Sequence, residues 1–525
     1  MRLALAQINA VVGDLEGNRE RILAALAEAR TAGADLVVLP ELAVTGYPPE
    51  DLLLRPSFVS AAEAVAREIA SATAGITALV GTPWRFEDGL ANVCAVCFDG
   101  KVRTLYRKRL LPNYGVFDEE RYFEPGPEPV VVPLAGLDVG LTVCEDIWEP
   151  EPAADLAARG AELLVNLSAS PFHVGKAESR EAMLADRARA NGFPLAFCNL
   201  VGGQDELLFD GHSVVLSADG DVLARAPGFE EHLLVVDLGG RGEVAPFEPE
   251  LEQMRRALVL ALRDYVRKNG FGDVVLGLSG GIDSALVAAL AADALGPERV
   301  HCVSMPSRYS SEGTKGDAQR LAENLGCDFR ELPIEEIVGE FHEAEVGTTG
   351  LAAENLQARV RGMILMSLSN EHGWLVLATG NKSELSVGYS TLYGDLAGGF
   401  ALIKDVYKTD VFRLARHLNE RAGRELIPRS IIERAPSAEL REDQRDEDSL
   451  PPYDVLDRVL EAYVEGDRSR EELVADGHDP ETVERAVALI DRAEYKRRQA
   501  PPGVKLRPKA FGRDRRVPIT NRWRG

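Results

Sequence analysis

Hydrophobic positions in the first half of the chain form short runs separated by turns. The run RLALAQINA predicts a strand, and NRERILAALAEARTAG places Ile22, Leu23 and Leu26 at helical spacing before Gly33 ends the helix. Further strands are predicted in ADLVVLPE, TALVGTPW, NVCAVCF, VGLTVCE, AELLVNLSAS, PLAFCNLVGG and SVVLSADG. Many of them are β-branched and have no helix beside them, which favours an α/β sandwich of mixed sheets.

The pattern changes after a Gly- and Pro-rich stretch, DLGGRGEVAPFEPELEQ, at 237–253. Such a stretch is typical of a domain boundary, and we expect domains at 1–245 and 246–525. A long amphipathic helix, LEQMRRALVLALRDYVRKNG, opens the second half. The strands DVVLGLS, RVHCVSMP and GWLVLATG then alternate with helices, which predicts a parallel-sheet α/β domain.

Composition excludes several classes of protein. The net charge of −25 argues against a nucleic-acid partner and against binding to anionic membranes. No apolar run approaches the ~20 residues of a membrane span, and the first residues lack the pattern of a signal peptide. Six cysteines are too few for a disulfide framework in 525 residues, so we expect a cytoplasmic protein.

Cys94 and Cys97 form a C-x-x-C pair that is open to two interpretations. The spacing is compatible with a metal or redox site, but no second Cys pair exists. The segment ANVCAVCFDG reads as a strand, on which residues three apart point to opposite faces. Core packing is therefore the favoured interpretation.

The segment VVLGLSGGIDSALVAALAADALG, at 274–296, predicts a strand, a Gly-rich turn and a helix. The backbone N–H groups of Gly280 and Gly281 can approach an anion there, and the helix dipole favours it. The Walker pattern is absent because no Lys follows the second Gly, and G-x-G-x-x-G is absent too. The remaining pattern is S-G-G-x-D-S, for which a purely structural turn is the alternative.

A second strand end in this half carries polar residues. Thr379 and Gly380 end the strand of GWLVLATG, where open α/β sheets bind ligands. Glu384 lies in the next turn and, with Asp283, supplies the one or two carboxylates that magnesium commonly uses. The helix ENLQARVRGMILM, at 354–366, adds Asn355, Arg359 and Arg361 as polar candidates.

Three strand ends in the first half carry Glu41, Lys108 and Cys144. A Cys at a strand end is usually packing, and Glu145 and Asp146 beside it would hinder thiolate formation. A nucleophilic Cys144 therefore requires activation from elsewhere in the chain. No histidine falls in a recognisable Cys–His motif.

These three segments, in this order, resemble the nitrilase superfamily over roughly residues 1 to 245. The resemblance implies a nitrilase-like α/β/β/α sandwich and a Glu41, Lys108, Cys144 triad. Glu41 would serve as general base, Cys144 as nucleophile, and Lys108 with the N–H of residue 145 as oxyanion stabiliser. The glutamine ligands implied or suggested are Tyr114, Glu145, Ser170 and Lys176.

The S-G-G-x-D-S loop resembles that of ATP pyrophosphatases with an adenine-hydrolase-like, Rossmann-like fold, and the segment 377–415 narrows this to NAD synthetase domains. The resemblance implies adenylation of the nicotinate carboxylate of deamido-NAD, followed by displacement of AMP by ammonia. The ATP-binding candidates are Gly277, Leu278, Ser279, Gly280, Gly281, Ile282, Asp283, Ser284, Thr379, Lys408 and Ser437. The candidates for deamido-NAD are Asn355, Arg359, Glu384 and Lys496, and those for Mg²⁺ are Asp283 and Glu384.

One departure from that family is visible. In its short, ammonia-using members a Lys stands where this chain has Leu392, in STLYGD. The substrate contact that this Lys makes must be made by another group or be lost.

The chain as a whole resembles glutamine-dependent NAD synthetases, in which an amidase frees the ammonia that a ligase consumes. The resemblance implies small-molecule substrates (glutamine, ATP and deamido-NAD) and a homo-oligomer, with octamers among its forms. Three alternatives stay open: an amidase with a regulatory second half, an ATP pyrophosphatase acting on RNA, and a noncatalytic scaffold. The basic segment from Lys496 onward is either a solvated tail, a cover for a polyanion, or a partner for acidic neighbours.

Overall fold

The structure, a computed structural model, describes residues 1–442 and 444–523. The chain divides into two compact units, Met1–Glu250 and Leu251–Gly525. Within the described ranges, none of the helices combines the length and the hydropathy needed to cross a membrane.

Two mixed sheets form the first unit, all of whose residues are described. The first sheet has the order β14-β1-β2-β3-β4-β5, with strands β1 (Arg2–Gln7), β2 (Leu36–Val38), β3 (Thr77–Phe86), β4 (Gly89–Phe98), β5 (Lys101–Arg107) and β14 (His232–Asp237). The second has the order β13-β12-β9-β8-β7-β6, with strands β6 (Val130–Leu134), β7 (Leu137–Val143), β8 (Leu163–Ser168), β9 (Leu195–Asn199), β12 (Val214–Leu216) and β13 (Val222–Arg225). A small hairpin pairs β10 (Val201–Gln204) with β11 (Leu207–Asp210).

Side-chain alternation along the strands builds the layers. Leu3 and Leu5 of β1 lie in a core shared by the two sheets, whereas Ala4 and Ala6 pack on the opposite face. That face is covered by α1 (Leu15–Thr31) and α2 (Pro56–Ser71), and the outer face of the second sheet by α3 (Pro150–Ala158) and α4 (Lys176–Asn191). The predicted α/β/β/α sandwich is confirmed.

Cys94 and Cys97 illustrate this alternation on β4. Cys94 lies in the core between the sheets, and Cys97 lies on the helix-covered face. Both are fully buried, and burial raises the pKa of each thiol. The two sulfur atoms therefore belong to different cores, as expected for residues three apart on a strand.

The second unit is built on a parallel sheet, as predicted. Its order is β17-β16-β15-β18-β19, with strands β15 (Val274–Gly277), β16 (Val300–Ser304), β17 (Asp328–Glu331), β18 (Leu375–Ala378) and β19 (Phe400–Ala401). The chain order reverses between β15 and β18, which lie side by side. The carboxyl ends of strands at such a switch point form a ligand-binding crevice.

Helices cover this sheet and continue into a helical region. They are α5 (Glu250–Lys268), α6 (Ile282–Leu295), α7 (Glu312–Leu325), α8 (Glu335–Glu343), α9 (Gly350–His372), α10 (Lys382–Val387), α11 (Lys408–Ala422), α12 (Arg429–Glu433), α13 (Tyr453–Leu460), α14 (Arg470–Ala475), α15 (Pro480–Arg492) and α16 (Glu494–Arg497). Apolar side chains of α8 and α9 pack on one face of the sheet, and those of α13 and α15 form a separate core.

The basic segment from Lys496 pairs with acidic neighbours, which was one of its three interpretations. Lys505 pairs with Asp514 at 2.5 Å, and Arg507 pairs with Asp410. The main-chain N–H groups of residues 506 and 507 both donate to Asp405, each at 2.7 Å. Arg524 and Gly525, which complete this segment, lie outside the described residues.

Candidate active sites

Glu41, Lys108 and Cys144 each follow a strand of the first unit, namely β2, β5 and β7. The Lys108 ammonium donates to Glu41 Oε1 at 2.7 Å, and the three side chains are almost completely buried. Gly81 permits this arrangement, because a Cβ at that position would lie 2.3 Å from the Pro40 carbonyl oxygen. Two of the three strand ends, those carrying Glu41 and Lys108, are therefore in direct contact.

Glu119 joins this cluster and was missed by sequence reasoning. Both of its carboxylate oxygens accept from Lys108 Nζ at 2.8 Å, and Oε1 also accepts from the Tyr47 hydroxyl at 2.8 Å. Glu119 lies in a short helical turn, 11 residues after Lys108 in the chain. Its neighbours Asp118 and Glu120 are also acidic, so the sequence offered no means of choosing among them.

The protonation states follow from burial and charge. Burial opposes a charged Lys108, but Glu119 and Glu41 outweigh it and hold the pKa of Lys108 well above its ordinary value. Burial and the Glu41 carboxylate raise the pKa of the Cys144 thiol, against the opposing effect of Lys108. Cys144 therefore rests as a thiol beside a charged ammonium, and it must lose its proton as it reacts.

Cys144 lies at a sharp change of backbone direction. It has φ of 41°, a left-handed value that is uncommon for a residue with a side chain, and it opens a short helical turn. Asn92 and the N–H of Ala169 hold Glu41 from two sides, at 2.7 Å and 3.1 Å. Strain and fixed partners of this kind are typical of functional sites.

Asp146 fixes the short helical turn that begins at Cys144. Its Oδ2 accepts from the Val143 N–H at 2.9 Å and the Tyr106 hydroxyl at 2.7 Å. Its Oδ1 accepts from the N–H groups of Arg109 and Leu110, at 3.0 Å and 2.9 Å. After burial, Glu41, Lys108, Glu145 and Glu119 shift the pKa of Cys144 most, so Glu145, one of the two adjacent carboxylates, opposes thiolate formation as expected.

The candidate glutamine ligands lie around the same turn. Tyr114, an exposed side chain, donates from its hydroxyl to Glu145 Oε1 at 2.9 Å. Burial raises the pKa of Glu145, and Lys176, the first residue of α4, acts against that shift. Ser170 is buried, and its N–H donates to Asn199 Oδ1 at 2.9 Å. The N–H of the preceding residue, Ala169, donates to Glu41, so Ser170 follows directly after a residue of the buried cluster.

The S-G-G-x-D-S loop of the second unit follows β15 and leads into α6. Gly280 has φ of 81°, and a Cβ there would lie 2.2 Å from the Thr314 carbonyl oxygen, so both conformation and space require glycine. The Ser279 and Ser284 hydroxyls lie 3.1 Å apart, and Gly281 N–H donates to Ser279 Oγ at 3.2 Å. The loop is therefore shaped by its own hydroxyls. Gly277 and Leu278 precede it, and Ile282 lies within it as the first residue of α6.

Lys408 crosses from the start of α11 to the two predicted metal ligands. Its ammonium donates to Asp283 Oδ2 at 2.5 Å and to Glu384 Oε1 at 3.0 Å. Burial opposes the charge of Lys408, but these carboxylates outweigh it and raise its pKa. Burial raises the pKa of Glu384 to about 8. Glu384 lies in the first turn of α10, just after Thr379 and the carboxyl end of β18.

Three of the four predicted deamido-NAD ligands contact the segment 388–392, and the fourth, Glu384, binds Lys408. The Asn355 side chain accepts from the Thr391 hydroxyl at 2.9 Å, and Arg359 Nε donates to the Leu392 carbonyl at 3.2 Å. Lys496 Nζ donates to the carbonyls of residues 388 and 390, at 2.7 Å and 2.6 Å. These three side chains therefore hold one loop, the loop in which Leu392 replaces Lys.

Ser437 and Arg361 donate to main-chain carbonyls outside the S-G-G-x-D-S loop. Ser437 Oγ donates to the Gln444 carbonyl at 2.6 Å, within its own segment. Arg434, in the same segment, donates to the Gly280 carbonyl of the S-G-G-x-D-S loop at 3.1 Å. Arg434 was not identified as a candidate from the sequence. Arg361 Nε donates to the Met305 carbonyl at 2.9 Å and so holds main chain next to β16.

The fold and the two sites define a carbon–nitrogen hydrolase joined to a nucleotide-dependent synthase. The family model of carbon-nitrogen hydrolases matches residues 2–242, and that of NAD synthases matches residues 254–500. A glutamine-dependent NAD(+) synthetase of Thermotoga maritima is 47% identical over 100% of this chain and 99% of its own length. One of Aquifex aeolicus is 45% identical over 100% of both chains.

A solved glutamine-dependent NAD+ synthetase from Acinetobacter baumannii, in complex with ADP, superposes with a TM-score of 0.80 at 42% identity, covering 99% of this chain and 98% of that one. The chain belongs to the family of glutamine-dependent NAD+ synthetases.

Proposed function

We propose that this protein converts deamido-NAD+ to NAD+ at the expense of ATP, with ammonia taken from glutamine. The observation that carries the proposal is the presence of two buried reaction centres in one chain. One is a thiol beside a lysine held by two carboxylates, and the other is a phosphate-binding loop beside a lysine held by two carboxylates. The assigned domains are 1–245 for the glutaminase and 246–525 for the synthetase.

The first centre supports thioester chemistry. Glu41 takes the thiol proton as Cys144 attacks the glutamine amide carbon, and Lys108 with the N–H of residue 145 stabilises the oxyanion. The amide nitrogen takes this proton from Glu41 and leaves as ammonia, and Glu41, again a carboxylate, then activates the water that releases glutamate. Glu119 keeps Lys108 charged and in place, since it binds the ammonium through both oxygens.

The glutamine ends need polar partners of opposite sign. Glu145, whose hydrogen bond from Tyr114 orients it, is suited to the α-amino group. Lys176 and the region of Ser170 are suited to the α-carboxylate. The Lys176 ammonium lies 5.3 Å from the centre of the Trp148 ring, so an aromatic face supports this cation as well.

The second centre supports adenylation. A nicotinate carboxylate oxygen attacks the α-phosphorus of ATP and displaces pyrophosphate, and ammonia then attacks the acyl carbon and displaces AMP. The Ser279–Ser284 loop and the start of α6 bind the leaving pyrophosphate. Thr379, Lys408 and Ser437 complete the ATP site, and Asn355, Arg359, Glu384 and Lys496 form the deamido-NAD side.

Asp283 and Glu384 are the residues that would hold Mg²⁺. No group of three or more His, Cys, Asp or Glu side chains suited to a metal exists among the residues that the structure describes. Two carboxylates completed by phosphate oxygens match the way magnesium is usually bound. What the metal supplies when bound is neutralisation of charge on the leaving pyrophosphate.

We also propose a cytoplasmic homo-oligomer, with octamers among its forms. The six cysteines are all unpaired thiols, which supports a reducing compartment.

The decisive experiment supplies ATP, Mg²⁺ and deamido-NAD+ with either glutamine or ammonium as nitrogen source. We expect NAD+, AMP and pyrophosphate from both sources. Cys144→Ala should abolish the glutamine reaction, by at least about 10³-fold, and spare the ammonium reaction, because only the former needs the nucleophile. Asp283→Ala should impair both. Loss of both reactions in Cys144→Ala would refute the division of labour.

A further inference from the structure

The residue before α10, Asn381, connects the Asp283 carboxylate to the main chain of Glu384 in the proposed ATP site. Its side chain is fully buried. Oδ1 accepts from the Glu384 N–H at 3.0 Å, and Nδ2 donates to Asp283 Oδ1 at 2.8 Å. The amide therefore caps the helix that carries Glu384 and at the same time holds the carboxylate that begins α6.

Lys408 alone would not fix the orientation of the Asp283 and Glu384 carboxylates. An ammonium attracts both carboxylates, but its three hydrogens lie on a rotating group and fix no orientation. Asn381 binds one oxygen of Asp283, which leaves the other for Lys408. The planar amide thus fixes the orientation of the Asp283 carboxylate relative to the cation.

Asn381 can serve this role because its own position is fixed from outside. Its neighbour Lys382 is fully buried, donates to Glu465 at 2.7 Å and forms an ion pair with Asp405 at 2.7 Å. Ser383 donates to Asp457 at 2.5 Å and accepts from the Lys408 N–H at 2.9 Å. A helix of six residues has little stability by itself, so these contacts set its position.

We infer that Asn381 is a positioning residue for the ATP reaction. It orients Asp283 relative to Glu384, so that both carboxylates face the cation shared between them. The inference rests on the proposed roles of Asp283 and Glu384 in ATP binding. Asn381 touches neither substrate nor phosphate in this account and acts through Asp283.

Three variants separate this role from helix capping. Asn381→Asp and Asn381→Ser both retain a good N-cap acceptor for Glu384, but neither donates to Asp283 as the amide does. Asn381→Ala loses both interactions. Full-length variants should be compared in ammonium-supported NAD+ synthesis, in thermal unfolding without ligands, and in ATP binding by calorimetry with and without Mg²⁺.

We expect Asn381→Ser to keep the wild-type unfolding temperature better than Asn381→Ala, whereas Asn381→Asp should be less stable than Asn381→Ser because it buries a second carboxylate against Asp283. Asn381→Asp and Asn381→Ser should both lower kcat by about 10- to 100-fold, as loss of a residue that orients a ligating side chain does, and should raise the Mg²⁺ concentration at half-maximal rate. In calorimetry, Mg²⁺ should tighten ATP binding less in these variants than in the wild-type protein.

Wild-type kcat and Mg²⁺ dependence in Asn381→Asp and Asn381→Ser would overturn the inference, as would a loss of activity that only tracks thermal stability in all three variants. Asp283→Ala distinguishes this from failure of the proposed function. If Asp283→Ala keeps ammonium-supported synthesis, the proposed ATP site is wrong. If it loses synthesis while Asn381→Asp does not, only the role of Asn381 is wrong.

Discussion

The two candidate sites share one arrangement, a buried lysine between two carboxylates. In the first unit Lys108 binds Glu41 and Glu119, and in the second Lys408 binds Asp283 and Glu384. The distances are similar, from 2.5 to 3.0 Å. The sites differ in how far the carboxylates are sealed from solvent.

The Glu41 and Glu119 side chains are 0% and 6% exposed, whereas those of Asp283 and Glu384 are 18% and 17% exposed. A sealed cluster suits a fixed set of catalytic groups, because its charges are not shared with solvent or ligand. A partly open cluster suits carboxylates that must also take a metal and phosphate. The same arrangement of one lysine and two carboxylates thus forms a fixed catalytic cluster in the first unit. In the second unit it forms a site where metal and phosphate can bind and leave.

The largest expected effect comes from removing each lysine. Lys108→Met should cost about 3–5 kcal/mol of stability, because it leaves two buried carboxylates without a cation, and should abolish glutamine-supported synthesis. Lys408→Met should cost less, and added Mg²⁺ should restore part of the loss. Calorimetric unfolding with and without MgCl₂ measures both. Equal rescue of the two variants by Mg²⁺ would contradict the comparison.

A third buried lysine provides a reference without a reaction centre. Lys382 binds Asp405 and Glu465, and it also donates to the Lys509 carbonyl at 2.8 Å. Lys382→Met should therefore destabilise the second unit by about 3–5 kcal/mol and lower ATP-dependent synthesis by loosening α10. Limited proteolysis should show early cleavage near residues 504–515. An unchanged cleavage pattern would mean that Lys382 does not hold this segment.

Glu119 makes a pH prediction for the sealed site. Burial raises the pKa of Glu119 to about 7, from an ordinary 4.5, against the attraction of Lys108. Between these pH values the folded protein keeps a proton that the unfolded chain releases, so this group's contribution to stability falls as pH rises. Relative to Glu119→Gln, the wild-type free energy of unfolding should decline by at most about 1.4 kcal/mol per pH unit.

Denaturation midpoints of the wild-type protein and Glu119→Gln at several pH values from about 4.5 to about 7 measure this difference. Parallel curves for the two proteins would show that Glu119 does not titrate in this window.

The smallest expected effect concerns the glutamine ligands. Glu145→Gln should raise the glutamine KM about tenfold and leave ammonium-supported synthesis unchanged, since only a contact to the α-amino group is weakened. Tyr114→Phe is the matched control, because it removes the hydrogen bond to Glu145 and keeps the charge. An unchanged glutamine KM in Glu145→Gln would exclude Glu145 as that ligand.

Sequence reasoning reached the strand ends better than the residues between them. The mixed-sheet sandwich and the parallel sheet were predicted from the pattern of strands and helices, the α/β/β/α layering from the family resemblance, and all are confirmed. Asp146 was expected only to hinder thiolate formation at Cys144, whereas its oxygens also accept four hydrogen bonds that fix the turn. Glu119 was missed because nothing in its local sequence separates it from its acidic neighbours. Asn381 was missed although Asn three residues before Glu384 is a recognisable capping-box pattern.

The sequence by itself determined the elements, the glycine-dependent loop at Gly280 and the kinds of chemical group at each strand end. Those properties depend on local periodicity and on backbone conformations that only glycine adopts readily. The tertiary structure decided which carboxylates each lysine binds. The partners lie 67 and 11 residues from Lys108, and 125 and 24 residues from Lys408. A long, flexible ammonium side chain acquires definite partners only when packing brings such distant segments together and removes the competing water.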